Sequence, residues 1–251
     1  MDAVLYFMAI SHPCQAARKM LDVKGMDYRV VKVRAGAQRI QLRLAGFPRG
    51  TVPAIRLDGR RVQGTRAISR ALDEACREPA LFPSQPELRA LVTEAERWGE
   101  EELQPIPRRL FRFMVAHDRS LQSCALRSQG LPSAAPLSAA IGLVSSYFAR
   151  TIEADGRRAT EAAVRADLAA LPAMLDRVDR LLADGTLSLH PPNAATLQVL
   201  SSIHALLAFD DLAGTVGPHA CAEPALELFG PNPAQVPHVL APSWLVPLAE
   251  R

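Results

Sequence analysis

The chain has 251 residues, 49% of them hydrophobic and 22% charged, a globular composition long enough for one large domain or two modest ones. No uninterrupted apolar stretch approaches the ~18 to 20 residues a membrane span needs, and the first residues show neither a basic leader nor a cleavage-type site, so a soluble, cytoplasmic protein with no membrane partner is expected. The net charge of +3 conceals an asymmetry: residues 1–85 carry 15 Lys/Arg against 7 Asp/Glu, and residues 86–251 carry 14 against 19. The basic part lacks the aromatic interleaving of a stacking platform, so no nucleic-acid partner is expected; a solvated Arg-rich face or a small-anion site accounts for the charge. Cys14, Cys76, Cys124 and Cys221 form no C-x-x-C pair and have no histidine at metal spacing, which indicates neither a zinc site nor a disulfide framework.

In chain order, the apolar run from Val4 to Ile10 predicts a central strand buried on both faces. Residues 14–24 predict a helix with Ala17, Met20 and Leu21 on one face and Gly25 as its stop. Tyr28 to Val33 predicts a second strand, parallel to the first because a helix connects them. Residues 35–50 are irregular, with one helical stretch around Gln38 to Leu44. Ala54 to Leu57 and Arg60 to Gln63 flank Asp58-Gly59, the signature of a type I′ hairpin. Thr65 then caps a helix with Ile68, Ala71, Leu72, Ala75 and Cys76 on its apolar face. This βαβαββα order is the thioredoxin-like arrangement, assigned here to residues 1–77.

Residues 78–86 read as a linker, and residues 87–251 as an all-helical domain with a Pro-rich tail. Helices are expected from Leu88 through Trp98, kinked or ended at Pro105 and Pro107, and over 137–152 and 158–183. Another is capped by Asn193 and runs to about Leu212, and a last one covers 218–229. Trp244-Leu245-Val246 predicts that part of the tail docks.

Three short stretches could carry chemistry. In a parallel α/β sheet, ligands gather beyond the carboxyl ends of the strands, where Ser11-His12-Pro13-Cys14 lies. The Ser11 hydroxyl could donate to a bound thiolate, while Cys14 near a helix start could itself be the nucleophile or a small packed residue. In Thr51-Val52-Pro53-Ala54, a cis proline would leave the Val52 backbone free to pair with an extended peptide, whereas a trans proline would be a simple turn. At Gln63-Gly64-Thr65-Arg66, the helix start, the Thr65 hydroxyl and Arg66 could hold a carboxylate; Thr65 could also be only a cap.

"SHPCQAAR", "TVPAI" and "QGTRAI", in that order within the first 70 residues, resemble the N-terminal domain of cytosolic glutathione transferases, most of all the serine-type theta and delta classes. The resemblance implies a two-domain α+β fold and glutathione as co-substrate. Ser11 would activate its sulfur, and Pro13 and Cys14 would belong to the same loop, with Cys14 not the activating group. Val52 would pair with its cysteinyl part, and Pro53 would be the cis proline. Thr65, with Arg66 beside it, would hold the γ-glutamyl carboxylate. Gly64 departs from the Glu or Gln usual there, which implies weaker glutathione affinity or another thiol. Asn193-Ala194-Ala195-Thr196 departs from the family's Ser/Thr cap followed by Asp. A hydrophobic electrophile would bind between the domains near Phe111, Phe113 and Met114, whose other reading is packing. His12 and His117 read as surface or hydrogen-bonded residues, and Arg108, Arg109 and Arg112 as a solvated face. The family is usually homodimeric, and detoxification by conjugation is the expected role. Two rivals stand beside it: thiol-disulfide or peroxide reduction through Cys14, and a non-catalytic binding protein on the same fold.

Overall fold

The computed structural model describes residues 2–34, 37–118, 121, 159–232, 235–238 and 240–249. Its sheet has the order β2-β1-β3-β4, with β1 (Ala3–Phe7) parallel to β2 (Arg29–Lys32) and antiparallel to β3 (Ala54–Leu57), which pairs with β4 (Arg60–Gln63). The continuous apolar character of β1 suits this central place, because helices cover both faces of the sheet and every residue but Tyr6 is buried. Asp58 and Gly59 both have positive φ, 45° and 83°, so the hairpin turn is the type I′ expected of that dipeptide. The helices of this domain are α1 (His12–Val23), α2 (Gln38–Leu44) and α3 (Thr65–Ala75).

Several bounds differ from expectation. The first strand stops at Phe7, and Pro13 lies inside the first turn of α1, where its missing N–H costs nothing. Thr65 is the first helical residue of α3 and not its cap; Gly64 holds the cap position at φ 92°, a conformation that favours glycine. Pro105 and Pro107 begin a helix instead of ending one: α4 (Pro86–Trp98) passes through a π-helical turn, Gly99–Leu103, into α5 (Pro105–His117). The Pro-rich tail contains a further helix.

Of the remaining helices, α6 (Glu161–Ala183) is capped by Thr160, and α7 (Ala194–Leu206) is capped by Asn193, whose Oδ1 accepts from the Thr196 N–H at 2.9 Å. A 3₁₀ turn (Asp210–Leu212) and one helical turn (Ala213–Val216) follow, where a continuation of α7 to Leu212 was expected. Then come α8 (Ala222–Phe229) and α9 (Pro242–Ala249). The helix expected over 137–152 lies outside the described residues. Helix α7 is the axis of the molecule: nearly every side chain on it is buried, and it packs against α1 of the first domain as well as against α4 and α8. One apolar core therefore runs continuously from Leu5 and Ile55 in the sheet to Leu197 and Leu200 in α7. Among the described residues no helix is long and apolar enough to cross a membrane.

Candidate functional site

Strand register brings the three stretches together. Tyr6 pairs with Ala54, so two residues further along Met8 comes opposite Val52, and both pack on the cluster of Val33, Leu42, Phe47 and Ala54. The Met8 carbonyl accepts from the Ser11 N–H at 3.0 Å, which folds the Ser11 loop back over the end of β1. The Gly64 N–H bonds the Pro53 carbonyl at 3.0 Å, which brings the start of α3 to the same place. Ser11, Val52 and Thr65 thus meet at one end of the sheet.

Each group there has unused capacity. Ser11 occupies the cap position of α1, but its hydroxyl makes no capping bond and faces the Cys14 thiol. The Val52-Pro53 peptide is cis, and neither the N–H nor the C=O of half-buried Val52 has a hydrogen-bond partner among the described residues. Thr65 is only 1% exposed, and its Oγ1 has no partner at the first turn of α3, where helical N–H groups are also unpaired. A buried hydroxyl left unbonded is costly in itself. No atom lies within 4 Å of the position a Gly64 side chain would begin, so the departure at Gly64 removes a side chain from open space.

Cys14 is fully buried. Burial pushes its thiol up to about 11, against a smaller opposing effect of the Ser11 hydroxyl, so almost none of it is thiolate near neutral pH. Its environment is that of an inert, packed cysteine. The Arg66 guanidinium is engaged by carboxylates: its Nη1 meets Glu101 at 3.0 Å and Glu100 at 3.3 Å on the π-helical turn. Arg66 is accordingly an interdomain bridge.

The expected electrophile pocket divides. Met114 is fully buried in the core and cannot line an open pocket, because its place on α5 faces inward. Phe111 and Phe113 are half-buried, with Phe113 stacked on His117 at 4.2 Å and set 5.5 Å from the Trp244 ring, so the tail does dock through its tryptophan. The solvated-arginine reading fails at Arg109, which is buried and forms a two-pronged ion pair with Asp167 of α6.

Sequence reasoning assigned no role to Gln63, and of the two readings of His12, surface or hydrogen-bonded, the second holds. Gln63 donates through Nε2 to the carbonyls of Arg49 and Thr51 and accepts the Arg49 N–H, pinning the loop that leads into Val52. His12 is buried and hydrogen-bonded to the backbone of Gln104, which precedes α5, and this ties the Ser11 loop to the second domain. The only sequence signal for His12 was its place between Ser11 and Pro13. A second cluster, His219 and Cys221 on Asp179, resembles a nucleophilic triad in composition only. Both groups hydrogen-bond the carboxylate, and burial and that carboxylate hold the Cys221 thiol protonated. Among the described residues no His, Cys, Asp and Glu side chains group as a metal site.

Residues 5–80 match the family model of the glutathione S-transferase N-terminal domain. Among solved structures, a glutathione S-transferase from Sinorhizobium meliloti superposes with a TM-score of 0.62 at 19% identity, over 100% of this chain and 94% of that one. A beta-etherase from Sphingobium gives 0.63 at 16%, over 92% and 93%. A theta-class glutathione S-transferase from Xanthomonas axonopodis, solved with glutathione bound, gives 0.54 at 19%, over 81% of each chain. A search of curated proteins returns no match. Sheet order, the cis proline and these likenesses define a two-domain protein of the glutathione S-transferase fold. The family match is confined to residues 5–80, and over the whole chain the likeness to solved glutathione S-transferases is one of fold.

Proposed function

We propose that the protein is a glutathione transferase in which Ser11 activates the thiol of bound glutathione for attack on a hydrophobic electrophile. The observation that carries this reading is the convergence of three groups on one sheet end: a cap-position hydroxyl not used for capping, an unpaired Val52 backbone and the orphaned Thr65 Oγ1. Together they fit an extended γ-glutamyl peptide, with Val52 pairing its backbone and Thr65 with the first turn of α3 receiving its carboxylate. Glutathione supplies the nucleophilic sulfur. The Ser11 hydroxyl donates to that sulfur, lowers its pKa and so raises the thiolate fraction near neutral pH. The thiolate then forms a C–S bond as the electrophile's leaving group departs with its electron pair, and the thiol proton passes to solvent. Phe111 and Phe113 are the apolar side chains nearest in character to an electrophile site. Arg66 contributes by holding the second domain against α3.

The experiment compares Ser11→Ala with Cys14→Ala in conjugation of glutathione to an aryl halide. Ser11→Ala is expected to lower kcat/KM by on the order of 10²-fold, the scale of one lost donor to a developing anion, and to raise the pKa of bound glutathione read from thiolate absorbance. Cys14→Ala is expected to keep most of the activity. The opposite pattern overturns the reading in favour of Cys14 redox chemistry, and no glutathione-dependent thermal shift at millimolar ligand would favour a non-catalytic binding protein. A homodimer, a cytoplasmic location and a detoxifying role are part of the same proposal.

A further inference from the structure

Between Asp27 and Asp58 the chain carries seven Lys/Arg and no acidic residue. Some neighbouring cations are paired: Arg29 and Arg56 reach Asp2, and Arg60 reaches Glu74. Arg34, Arg39, Arg43 and Arg49 are exposed and have no carboxylate partner among the described residues. They gather around α2. The Arg34 N–H bonds Gln41 Oε1, and the stem of Arg39 lies over Gly50, next to Arg49. On α2, Arg39 and Arg43 form one i, i+4 pair, and Ile40 and Leu44 form the adjacent pair. Ile40 is 66% exposed and Leu44 85%, the two most exposed large apolar side chains described, while Leu42 on the opposite side anchors the helix in the core.

Attraction of an anionic co-substrate would explain the cations but not two apolar side chains standing at their centre. A nucleic acid would use stacking aromatics, yet Phe47, the one aromatic residue from 29 to 50, is buried. An apolar crest ringed by unpaired guanidinium groups suits an anionic lipid surface, where leucine and isoleucine enter the acyl boundary while arginine stems snorkel to the phosphates. From this charge complementarity we infer that the α2 face docks peripherally on membranes rich in acidic phospholipid. This inference departs from the expectation of no membrane partner, which rested on the lack of a spanning apolar stretch, a signal that does not report on a peripheral surface.

The test is co-sedimentation of the full chain, without thiol ligand, with phosphatidylserine-containing phosphatidylcholine vesicles and with pure phosphatidylcholine vesicles. Binding is expected to the first alone and to weaken as salt is raised. Arg39→Gln/Arg43→Gln should weaken it roughly tenfold or more, and Ile40→Ser/Leu44→Ser roughly tenfold. All four positions are exposed, so unchanged circular-dichroism melts are the folding control. No preference for the acidic vesicles, or binding indifferent to Ile40→Ser/Leu44→Ser, overturns the inference. So does concentration-dependent self-association abolished by Leu44→Ser, which would make a second copy the occupant of this face. No arm of the experiment involves conjugation, so failure of the proposed reaction leaves this test intact.

Discussion

His12 is buried at the first position of α1, with one ring nitrogen bonded to the Gln104 backbone and Nε2 unpartnered. Burial, reinforced by the positive charge of Arg108, lowers its pKa to about 3 from an ordinary 6.5. The folded state therefore declines a proton that the unfolded chain accepts below 6.5, so this residue's contribution falls as pH drops from about 6.5 towards 3, by about 1.4 kcal/mol per unit. Urea denaturation at about pH 7 and about pH 4.5 should show the parent losing about 2 to 3 kcal/mol more than His12→Asn. Equal losses would mean that His12 protonates without penalty. The residue types of this site were legible in the sequence, because Ser-x-Pro-Cys, Val-Pro and Gly-Thr-Arg at their spacing carry a recognisable pattern. Their side-chain directions were not. Arg66 turns to Glu100 and Glu101, and Met114 turns into the core, because each direction is set by an element distant in sequence.

Among the elements, α7 depends most visibly on a local signal. Asn193 Oδ1 accepts from the N–H of Thr196, whose hydroxyl donates to the Ser188 carbonyl at 2.7 Å, and Asn193 Nδ2 donates to the Thr186 carbonyl at 2.9 Å. Asn193→Ala removes the cap and leaves the Thr186 carbonyl unpaired in a buried place, at a cost of about 2 kcal/mol. Asn193→Ser should recover part of this, and denaturation midpoints at constant m-value will measure both. Such caps and turns were readable in advance. The β3–β4 hairpin and α2 fall where Asp58-Gly59 and the Gln38 to Leu44 pattern put them, since backbone preference acts over a few residues. The π-helical turn was not readable. Gly99 lies against Val199 and Gln198 of α7, where an added Cβ would collide with Val199, and that contact belongs to no local pattern.

At the scale of the molecule, the domains are joined by buried polar groups as well as by a shared core. Glu96 of α4 is fully buried, accepts from the Ser69 hydroxyl at 2.6 Å and pairs with Arg70; burial raises its pKa in spite of both partners. Arg70→Ala would strand this carboxylate and cost about 3 kcal/mol, whereas Arg70→Ala/Glu96→Leu should regain most of the loss, because removing both partners leaves no buried charge unpaired. Equal destabilisation of the single and double variants in urea would show that packing, not the charge, dominates there. Lys24 makes a similar tie between the first domain and the stretch that follows it, bonding Asp73, the Cys76 carbonyl and the Pro79 carbonyl. By itself the sequence determined the βαβαββα order, the helical second part and the residue types at the sheet end, because periodicity, turn chemistry and caps are local. Only the tertiary structure decided that Cys14 is sealed and Ser11 free of capping duty, that Thr65 keeps an unbonded hydroxyl, and that Ile40 and Leu44 stand exposed among arginines. Burial and hydrogen-bond partnership are properties of what packs against a residue, and in this chain the packing partner often comes from elsewhere in the sequence.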